Sequence, residues 1–241
     1  MKNFYILVDY DNFEKNVQIS QGQISDGILE IIRRLDQKSN FFSQAIALQN
    51  ITVLLYGGWF YYNKKSYQST DIYVEISKDF PQLYLTKSQV SINIICEMSY
   101  GIFSLGKKAF YATCRKHSAN FSINRSYQKC CDDGDICIDF VREWQRNKKC
   151  VYCQHEDEKL FVNVGQKMVD SMIFCDLHYL SQHPDNVIAI VSSDDDMLPV
   201  IFQESVSNNN IYHVLTLPQH GGFFTQYYSK LKPTNYKSIT W

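Results

Sequence analysis

Short apolar runs and helically spaced apolar residues alternate along this chain. Residues 4–8 (FYILV) and 51–56 (ITVLLY) are runs of strand length, which is typical of strands buried on both faces of a parallel sheet. Residues 187–192 (VIAIVS) form the clearest run, and residues 109–114 and 211–217 predict two more strands. The pattern therefore predicts five strands.

Between these runs, apolar residues recur at the spacing of a helix face. The first such stripe consists of Ile24, Ile28, Ile31, Ile32 and Leu35. Ser25 or Asp26 is its expected N-cap. We predict a second helix over residues 167–180 and a third beginning near residues 196–199, because proline is tolerated in a first turn. Strands alternating with helices predict a doubly wound α/β domain with a mostly parallel sheet and helices on both faces.

Two stretches do not fit a minimal unit of this kind, and we expect both to be insertions or elaborations. Residues 59–106 are long and aromatic, and residues 114–161 hold most of the cysteines. The length of 241 residues and the 45% hydrophobic content suit one large domain with a proper core. We therefore expect one domain over residues 1–241, with a Cys-rich, basic insertion at residues 107–160.

Charge is distributed unevenly. The net charge is only −1, yet residues 105–149 carry ten basic and five acidic side chains, a local charge of +5. This excess is either a solvated surface of the insertion or a phosphate-binding face. The basic residues of the insertion that could contact nucleic acid are Arg115, Lys116, Arg142, Arg146, Lys148 and Lys149.

The sequence suggests a cytoplasmic protein without a membrane partner. The apolar run at residues 4–8 is too short for the core of a signal peptide, and acids follow it at once. No stretch reaches the roughly 18 apolar residues of a membrane span. The eight cysteines are accordingly expected to be reduced thiols or metal ligands.

Acidic residues follow two predicted strands and begin one predicted helix. They are Asp9 and Asp11 (with Asn12) after the first strand, Asp194, Asp195 and Asp196 after residues 187–192, and Asp170. Ligands in open α/β sheets bind beyond the carboxyl ends of the strands. Clustered carboxylates raise one another's pKa, and an oxygen-preferring cation such as Mg²⁺ removes that cost. A single aspartate after a strand can instead be a helix N-cap.

Asp176 occupies an unusual position on the second predicted helix. On a helical wheel it falls within the apolar stripe, whereas Asp170 falls at the edge. A carboxylate facing a core needs a partner, which can be a metal, a backbone amide or a tyrosine. The two acids point roughly 120° apart at about 100° per residue, so we expect only one of them to reach the metal. We prefer Asp170, because it lies nearer the start of the helix.

Three segments together resemble a known family. Residues 8–12 (VDYDN), 166–177 (QKMVDSMIFCDL) and 191–201 (VSSDDDMLPVI) resemble, in order and spacing, the D-x-x-N, K-G-V-D-x-x-x-x-x-D and S-G-D-x-D-F-x-P motifs of NYN domains. NYN domains belong to the PIN-like nuclease superfamily. The resemblance implies a PIN-like fold and a nuclease that hydrolyses phosphodiester bonds, most often of RNA, with a metal-activated water.

The resemblance also implies roles for individual residues. The acidic catalytic and metal-binding residues would be Asp9, Asp170, Asp194 and Asp196. Asn12 and Ser192 would support the metal, its water or a phosphate, and Asp176 matches the second acid of the helix motif. The chain departs from the motifs at Met168 and Ser193, which replace glycines, and at Met197, which replaces an aromatic residue.

A zinc site is a second metal hypothesis. Cys150 and Cys153 have the two-residue gap of a zinc knuckle, and Cys114 and His117 have the same gap. Together they could form a tetrahedral site that stabilises the insertion. The competing ligands are Cys130, Cys131, Cys137 and His155, and the alternative is a set of ordinary reduced cysteines.

An aromatic segment with two lysines is a further candidate for nucleic-acid contact. Trp59 lies in a run of aromatic residues that is followed by Lys64 and Lys65. Aromatic faces beside cations stack unpaired bases. The alternative is a tight turn with core aromatics, and the two glycines before Trp59 indicate an unusual backbone or a close approach.

The leading hypothesis is a metal-dependent endoribonuclease with Mg²⁺ or Mn²⁺ as cofactor, structural Zn²⁺ as a further metal, and RNA favoured over DNA as the partner. The main alternative is a catalytically silent RNA-binding or adaptor module on the same fold. A third hypothesis is phosphoester chemistry on DNA or a small nucleotide. Oligomeric state and protein partners do not follow from the sequence.

Overall fold

A seven-stranded sheet organises the larger part of the structure, a computed structural model that describes residues 2–16, 23–61, 64–100, 114–123, 161–166, 168–216 and 230–240. The chain divides into two units, Met1–Cys114 with Lys167–Trp241, and Arg115–Gln166. Most of the expected insertion at residues 107–160 lies outside the described residues.

The elements alternate along the larger unit. The described strands are β1 (Asn3–Asp9), β2 (Gln49–Tyr56), β3 (Phe60–Tyr61), β4 (Lys64–Lys65), β5 (Gln82–Leu85), β6 (Ser91–Met98), β7 (Cys114–Ile123), β8 (Phe161–Gln166), β9 (Asn186–Val191), β10 (Ile211–Leu215) and β11 (Lys237–Thr240). The described helices are α1 (Tyr10–Asn16), α2 (Ile24–Lys38), α3 (Tyr67–Asp79), α4 (Val169–Ser181) and α5 (Leu198–Ser207), with a 3₁₀ turn at Asp195–Met197. Among these helices, none is long and apolar enough to cross a membrane.

The sheet has the order β11–β10–β9–β1–β2–β6–β5. Neighbouring strands are parallel, except that the edge strand β5 runs antiparallel to β6. At the centre, Phe4 of β1 is paired with Ile51 of β2 on one side and with Val187 of β9 on the other. The predicted α/β class with a mostly parallel sheet is confirmed.

Alternate side chains of the central strands enter two hydrophobic clusters, one on each face of the sheet. On β1, Ile6 and Val8 belong to the cluster that contains Ile28 of α2, whereas Leu7 belongs to the cluster that contains Ile173 of α4. Because helices cover both faces, the central strands have no solvent-facing side. This explains their continuous apolar sequences and makes the fold compatible with a doubly wound arrangement.

The expectation for residues 59–106 was wrong. We expected an elaboration, but these residues supply α3, β5 and β6, and β6 is the neighbour of β2. The sequence of β6 (SINIICEM) alternates between partly exposed and buried positions, so it lacks the apolar run that marks the other central strands. The strand predicted at residues 109–114 lies almost wholly outside the described residues.

The start of α2 also differs from the expectation. The helix begins at Ile24 with Gln23 at the N-cap position and without a side-chain cap. Ser25 lies inside the helix, and its backbone nitrogen and Oγ donate to Glu75 Oε1 of α3 at 2.9 and 3.1 Å. The serine that was expected to cap α2 therefore connects it to α3 instead.

The smaller unit contains an antiparallel pair. β7 pairs with β8, and the register shifts between His117 and Ser122. Two predicted zinc ligands (Cys114 and His117) and two predicted contacts (Arg115 and Lys116) lie on β7, where the structure describes the backbone only. The remaining residues of both predictions lie outside the described part of the chain. They are Cys150, Cys153, Arg142, Arg146, Lys148 and Lys149.

The residue before α4 has a left-handed backbone. Met168 has φ 69° and ψ −4°, and its carbonyl accepts the first helical hydrogen bond from the nitrogen of Met172 at 3.0 Å. This conformation costs an L-residue roughly 1–2 kcal/mol, whereas glycine adopts it freely. Met168 is one of the positions at which the chain departs from the NYN motif by lacking a glycine.

We expect Met168→Gly to raise the free energy of unfolding by about 0.5–1 kcal/mol, because relief of the left-handed strain exceeds the entropy cost of glycine. Urea denaturation measures this change. Gln182→Gly is the matched control, since Gln182 is exposed and has φ −65°, where glycine relieves nothing and should destabilise. Equal destabilisation by both substitutions would contradict the strain at Met168.

Candidate metal centre at the carboxyl edge of the sheet

The direction in which strands are added to the sheet reverses at β1. From β1 the chain continues to β2 and β6 on one side, whereas β9, β10 and β11 are added on the other side. Such a reversal leaves a crevice beyond the carboxyl ends of the strands that flank it. Asp9 ends β1, and Ser192 directly follows β9, so both residues lie at this crevice.

Asp9 is a buried carboxylate with only 1% of its surface exposed. Its Oδ2 accepts a hydrogen bond from Ser192 Oγ at 3.2 Å, and its Oδ1 accepts one from the backbone nitrogen of Asn12 at 3.4 Å. Burial first, and then the charge of Asp170, raises the pKa of Asp9 from 3.8 to about 7, although both hydrogen bonds lower it. The carboxylate therefore favours a proton or a cation.

Ser192 connects Asp9 to the acidic turn after β9. Its Oγ donates to Asp9 and also accepts a hydrogen bond from the backbone nitrogen of Asp194 at 3.1 Å. Asp194 caps the following 3₁₀ turn, because its Oδ1 accepts from the backbone nitrogen of Asp196 at 3.0 Å. Asp194 is thus an N-cap, as the alternative explanation proposed, and the cap occupies its Oδ1.

Asn12 and Thr216 hold the same turn from either side. Asn12 Oδ1 accepts a hydrogen bond from the backbone nitrogen of Ser193 at 3.2 Å. Ser193 Oγ accepts one from the backbone nitrogen of Thr216 at 2.8 Å, just after β10. The predicted supporting residues Asn12 and Ser192 therefore join the carboxyl end of β1 and the start of α1 to the turn after β9.

Asp170 completes the acid cluster from α4. It lies in the first turn of the helix and is half-buried. Burial, followed by the charges of Asp194 and Asp196, raises its pKa, and Asp170 in turn raises the pKa of Asp9. The four predicted acids, Asp9, Asp170, Asp194 and Asp196, thus form one electrostatic cluster, defined here as the acid cluster.

Asp176 has a different partner. Its Oδ2 accepts a hydrogen bond from the hydroxyl of Tyr56 at 2.8 Å, and both side chains are buried. Burial and the charge of Asp176 raise the pKa of Tyr56 well above its ordinary value, so the phenol keeps its proton. Asp176 is not among the charges that shift the pKa of Asp9 or Asp170. The tyrosine partner considered from the sequence is therefore present, and it fixes α4 against the end of β2.

His213 is a buried residue of the site that the sequence analysis missed. Its Nε2 lies 2.8 Å from the carbonyl oxygen of Ser192, and its Nδ1 lies 2.7 Å from the hydroxyl of Tyr236. A carbonyl only accepts, so Nε2 donates and Tyr236 donates to Nδ1. Burial lowers the pKa of His213 to about 4, which keeps the ring neutral. A histidine within the apolar run of β10 was the signal that could have revealed it.

The donor set of the acid cluster suits a hard divalent cation. Its ligands are carboxylate oxygens, and among the described residues no basic side chain pairs with any of the four acids. Burial raises the pKa of Asp9, and a cation bound beside it would lower that pKa again. Within the described residues no three acidic, histidine or cysteine side chains are close enough to hold one ion. Mg²⁺ is commonly bound by one or two carboxylates and several waters.

The expected contact at Trp59 was wrong. Trp59 is only 2% exposed, and its Nε1 donates to the carbonyl oxygen of Ser99 at 2.8 Å, so the indole is a core residue. A Cβ on Gly57 would lie 2.7 Å from the Trp59 ring, which explains a glycine at that position. Lys65 is exposed, whereas the structure describes only the backbone of Lys64.

Comparison with known proteins gives no family assignment. No family model, curated protein or solved structure matches the chain significantly.

We expect Asp9→Asn to stabilise the metal-free protein at neutral pH. A pKa raised from 3.8 to about 7 means that the folded state binds a proton which the unfolded state releases, so wild-type stability falls as pH rises from about 4 to 7. The largest effect is about 4 kcal/mol. We expect about 2 kcal/mol, because asparagine keeps one acceptor oxygen for two donors.

Urea denaturation in EDTA at several pH values measures this difference. The gain of Asp9→Asn over wild type should grow from pH 4 to pH 7 and then level off. The lowered pKa of His213 acts with the opposite sign, but it is common to both proteins and cancels in the difference. A gain that is independent of pH would contradict the burial of a charged Asp9.

A second stability prediction concerns His213. His213→Leu leaves the carbonyl of Ser192 without this donor and should cost about 2–4 kcal/mol, whereas Tyr236→Phe keeps that bond, removes the one to Nδ1 and should cost about 1 kcal/mol. Because the pKa of His213 is lowered from 6.5 to about 4, wild type should lose stability as pH falls through that window. His213→Leu should lack this loss; an unchanged pH dependence in urea denaturation would contradict the assignment.

Proposed function

We propose that this protein is a PIN-like, metal-dependent endoribonuclease. The observation that carries the proposal is the hydrogen-bond path at the reversal of strand order, where Ser192 bonds both Asp9 and the backbone of Asp194, and Asp194 bonds the backbone of Asp196. The charge of Asp170 acts on the same group, because it raises the pKa of Asp9. These are the four acids to which the NYN resemblance assigns the metal site. They come from three separate segments of the chain, so their proximity is independent of the motif match.

A divalent cation bound by the acid cluster would supply Lewis acidity at a phosphodiester group. The residues of the chain would prepare the site. Ser192 and Asn12 hold Asp9 through its two oxygens. Asp196 is exposed, and Asp170 and Asp194 are half-buried, so the cluster remains open to a polymer on its outer side. An open edge suits cleavage within a strand better than an enclosed pocket would.

RNA as the substrate rests on the resemblance and on the local basic excess of the sequence. A catalytically silent RNA-binding module would keep the same fold and the same carboxylates. The two functions differ in turnover, so a cleavage assay separates them.

The test is cleavage of labelled single-stranded and structured RNA with Mn²⁺ or Mg²⁺. Asp9→Asn, Asp170→Asn and Asp194→Asn should each reduce the rate by more than about a hundredfold, because even residues that only support a metal ligand contribute about ten- to hundredfold. Ser192→Ala should reduce it by about tenfold. Asp176→Asn should retain activity, because Tyr56 can still donate to the amide oxygen.

Asp185→Asn is the matched control, since Asp185 is an exposed aspartate that directly precedes β9, at the opposite end of that strand. A thermal-shift series with Mg²⁺, Mn²⁺ and Ca²⁺ adds a readout other than activity. Wild type should be stabilised by these ions at pH 8, and Asp9→Asn should not respond. Full activity of Asp9→Asn and Asp194→Asn, or RNA binding without cleavage under any divalent ion, would overturn the nuclease proposal.

A further inference from the structure

A lysine and two tyrosines form a second cluster in the larger unit. The Nζ atom of Lys65 lies 5.4 Å from the ring centroid of Tyr73 and 5.3 Å from that of Tyr100. The ring of Phe60, the cross-strand partner of Lys65, packs edge-on against Tyr100 with the centroids 6.0 Å apart. Lys65 is exposed and Tyr73 is 53% exposed. We define Lys65, Tyr73 and Tyr100 as the lysine–tyrosine cluster.

The buried Trp59 fixes the backbone on both sides of this cluster. The carbonyl oxygen of Trp59 accepts a hydrogen bond from the nitrogen of Ser66, next to Lys65, at 2.9 Å. Its Nε1 donates to the carbonyl oxygen of Ser99, next to Tyr100, at 2.8 Å. One core residue therefore holds both segments in place without being part of the exposed surface.

The lysine–tyrosine cluster lies at the same edge of the sheet as the acid cluster. Tyr100 follows the carboxyl end of β6, and Asp9 is at the carboxyl end of β1. The ring of Trp59 lies 5.4 Å from that of Tyr10, which directly follows Asp9. The acidic turn after β9 is on one side of Asp9, and the lysine–tyrosine cluster is on the other.

The chemistry of the cluster matches unpaired nucleotides. Tyrosine rings stack on bases of any sequence, provided that the bases are not paired in a duplex. Within the described residues no carboxylate pairs with Lys65, so its ammonium is available to a phosphate. The acid cluster alone repels a polyanion, and a cationic, aromatic surface beside it would offset that repulsion.

We propose that the lysine–tyrosine cluster binds single-stranded RNA beside the acid cluster, with a phosphate at Lys65 and a base against the exposed ring of Tyr73, while Tyr100 supports Lys65 from the other side. The inference rests on the proposed function, because it treats the acid cluster as the place of cleavage. It adds the substrate class, a strand that is unpaired where it crosses the edge of the sheet.

The binding test uses the full chain with Asp194→Asn, in EDTA, so that no cleavage occurs. Fluorescence anisotropy with labelled oligouridylate should show about tenfold weaker binding for Tyr73→Leu and about fivefold weaker binding for Lys65→Gln. Lys65→Gln should also reduce the slope of log affinity against log salt by about 0.7. The matched controls are Lys87→Gln and Tyr179→Leu, two exposed side chains in other parts of the larger unit.

Kinetics provide the second readout. In the otherwise wild-type chain with Mn²⁺, Lys65→Gln and Tyr73→Leu should raise KM by similar factors and leave kcat unchanged. Circular dichroism of each variant verifies that it folds. If Tyr73→Leu does not fold, the salt dependence of binding by Lys65→Gln still tests the phosphate contact.

Failure of this inference is distinguishable from failure of the proposed function. Normal cleavage with KM and binding equal to the controls would overturn the lysine–tyrosine cluster and leave the nuclease intact. Binding that depends on Lys65 and Tyr73, without cleavage under any divalent ion, would support the cluster and overturn the nuclease. Equal affinity for a duplex would overturn the stacking role, and equal competition by polyglutamate would assign the surface to an acidic protein partner instead.

Discussion

The parallel pairing of β1 with a strand on each side is the constraint on which the rest of the structure depends. Asp9 is the register partner of Tyr56 on β2, and Val8 is the partner of Val191 on β9. This register aligns the carboxyl ends of β1, β2 and β9 at one edge of the sheet. Tyr56 can then bond Asp176, and Ser192 can bond Asp9, so the positions of both acids follow from backbone hydrogen bonds of the sheet.

The acid cluster is held by neutral donors. Ser192 Oγ and the backbone nitrogen of Asn12 donate to Asp9, and His213 donates to the carbonyl oxygen of Ser192, but none of them supplies a positive charge. Hydrogen bonds of this kind fix geometry and lower the pKa of a carboxylate only in part, as the raised pKa of Asp9 demonstrates. A bound cation would remove the remaining electrostatic cost. The hydrogen bonds thus position the acids, and the cation would neutralise their charge.

Much of this arrangement was predictable because the central strands are buried on both faces. Their apolar runs mark β1, β2 and β9 in the sequence, and strand ends place Asp9 and Asp194 at one edge. β6 was not recognised because its pattern alternates. Trp59 could be placed neither in the core nor in a binding site from the sequence, because aromatic side chains serve both. His213 could not be assigned a partner, since sequence does not show which strand lies beside which.

The separation of β1 and β9 along the chain has a consequence for how the site is assembled. Ser192 and Asp9 bond across 183 positions, so the contact closes a very large loop. Folds that depend on such distant pairings form slowly, and their strands remain exposed until the partner arrives. During synthesis, the apolar strand β1 has one unpaired edge until β9 has been made. The acid cluster therefore cannot form before residues 192–196 have been made, and a chain interrupted before β9 would contain the sheet's central strand without the site.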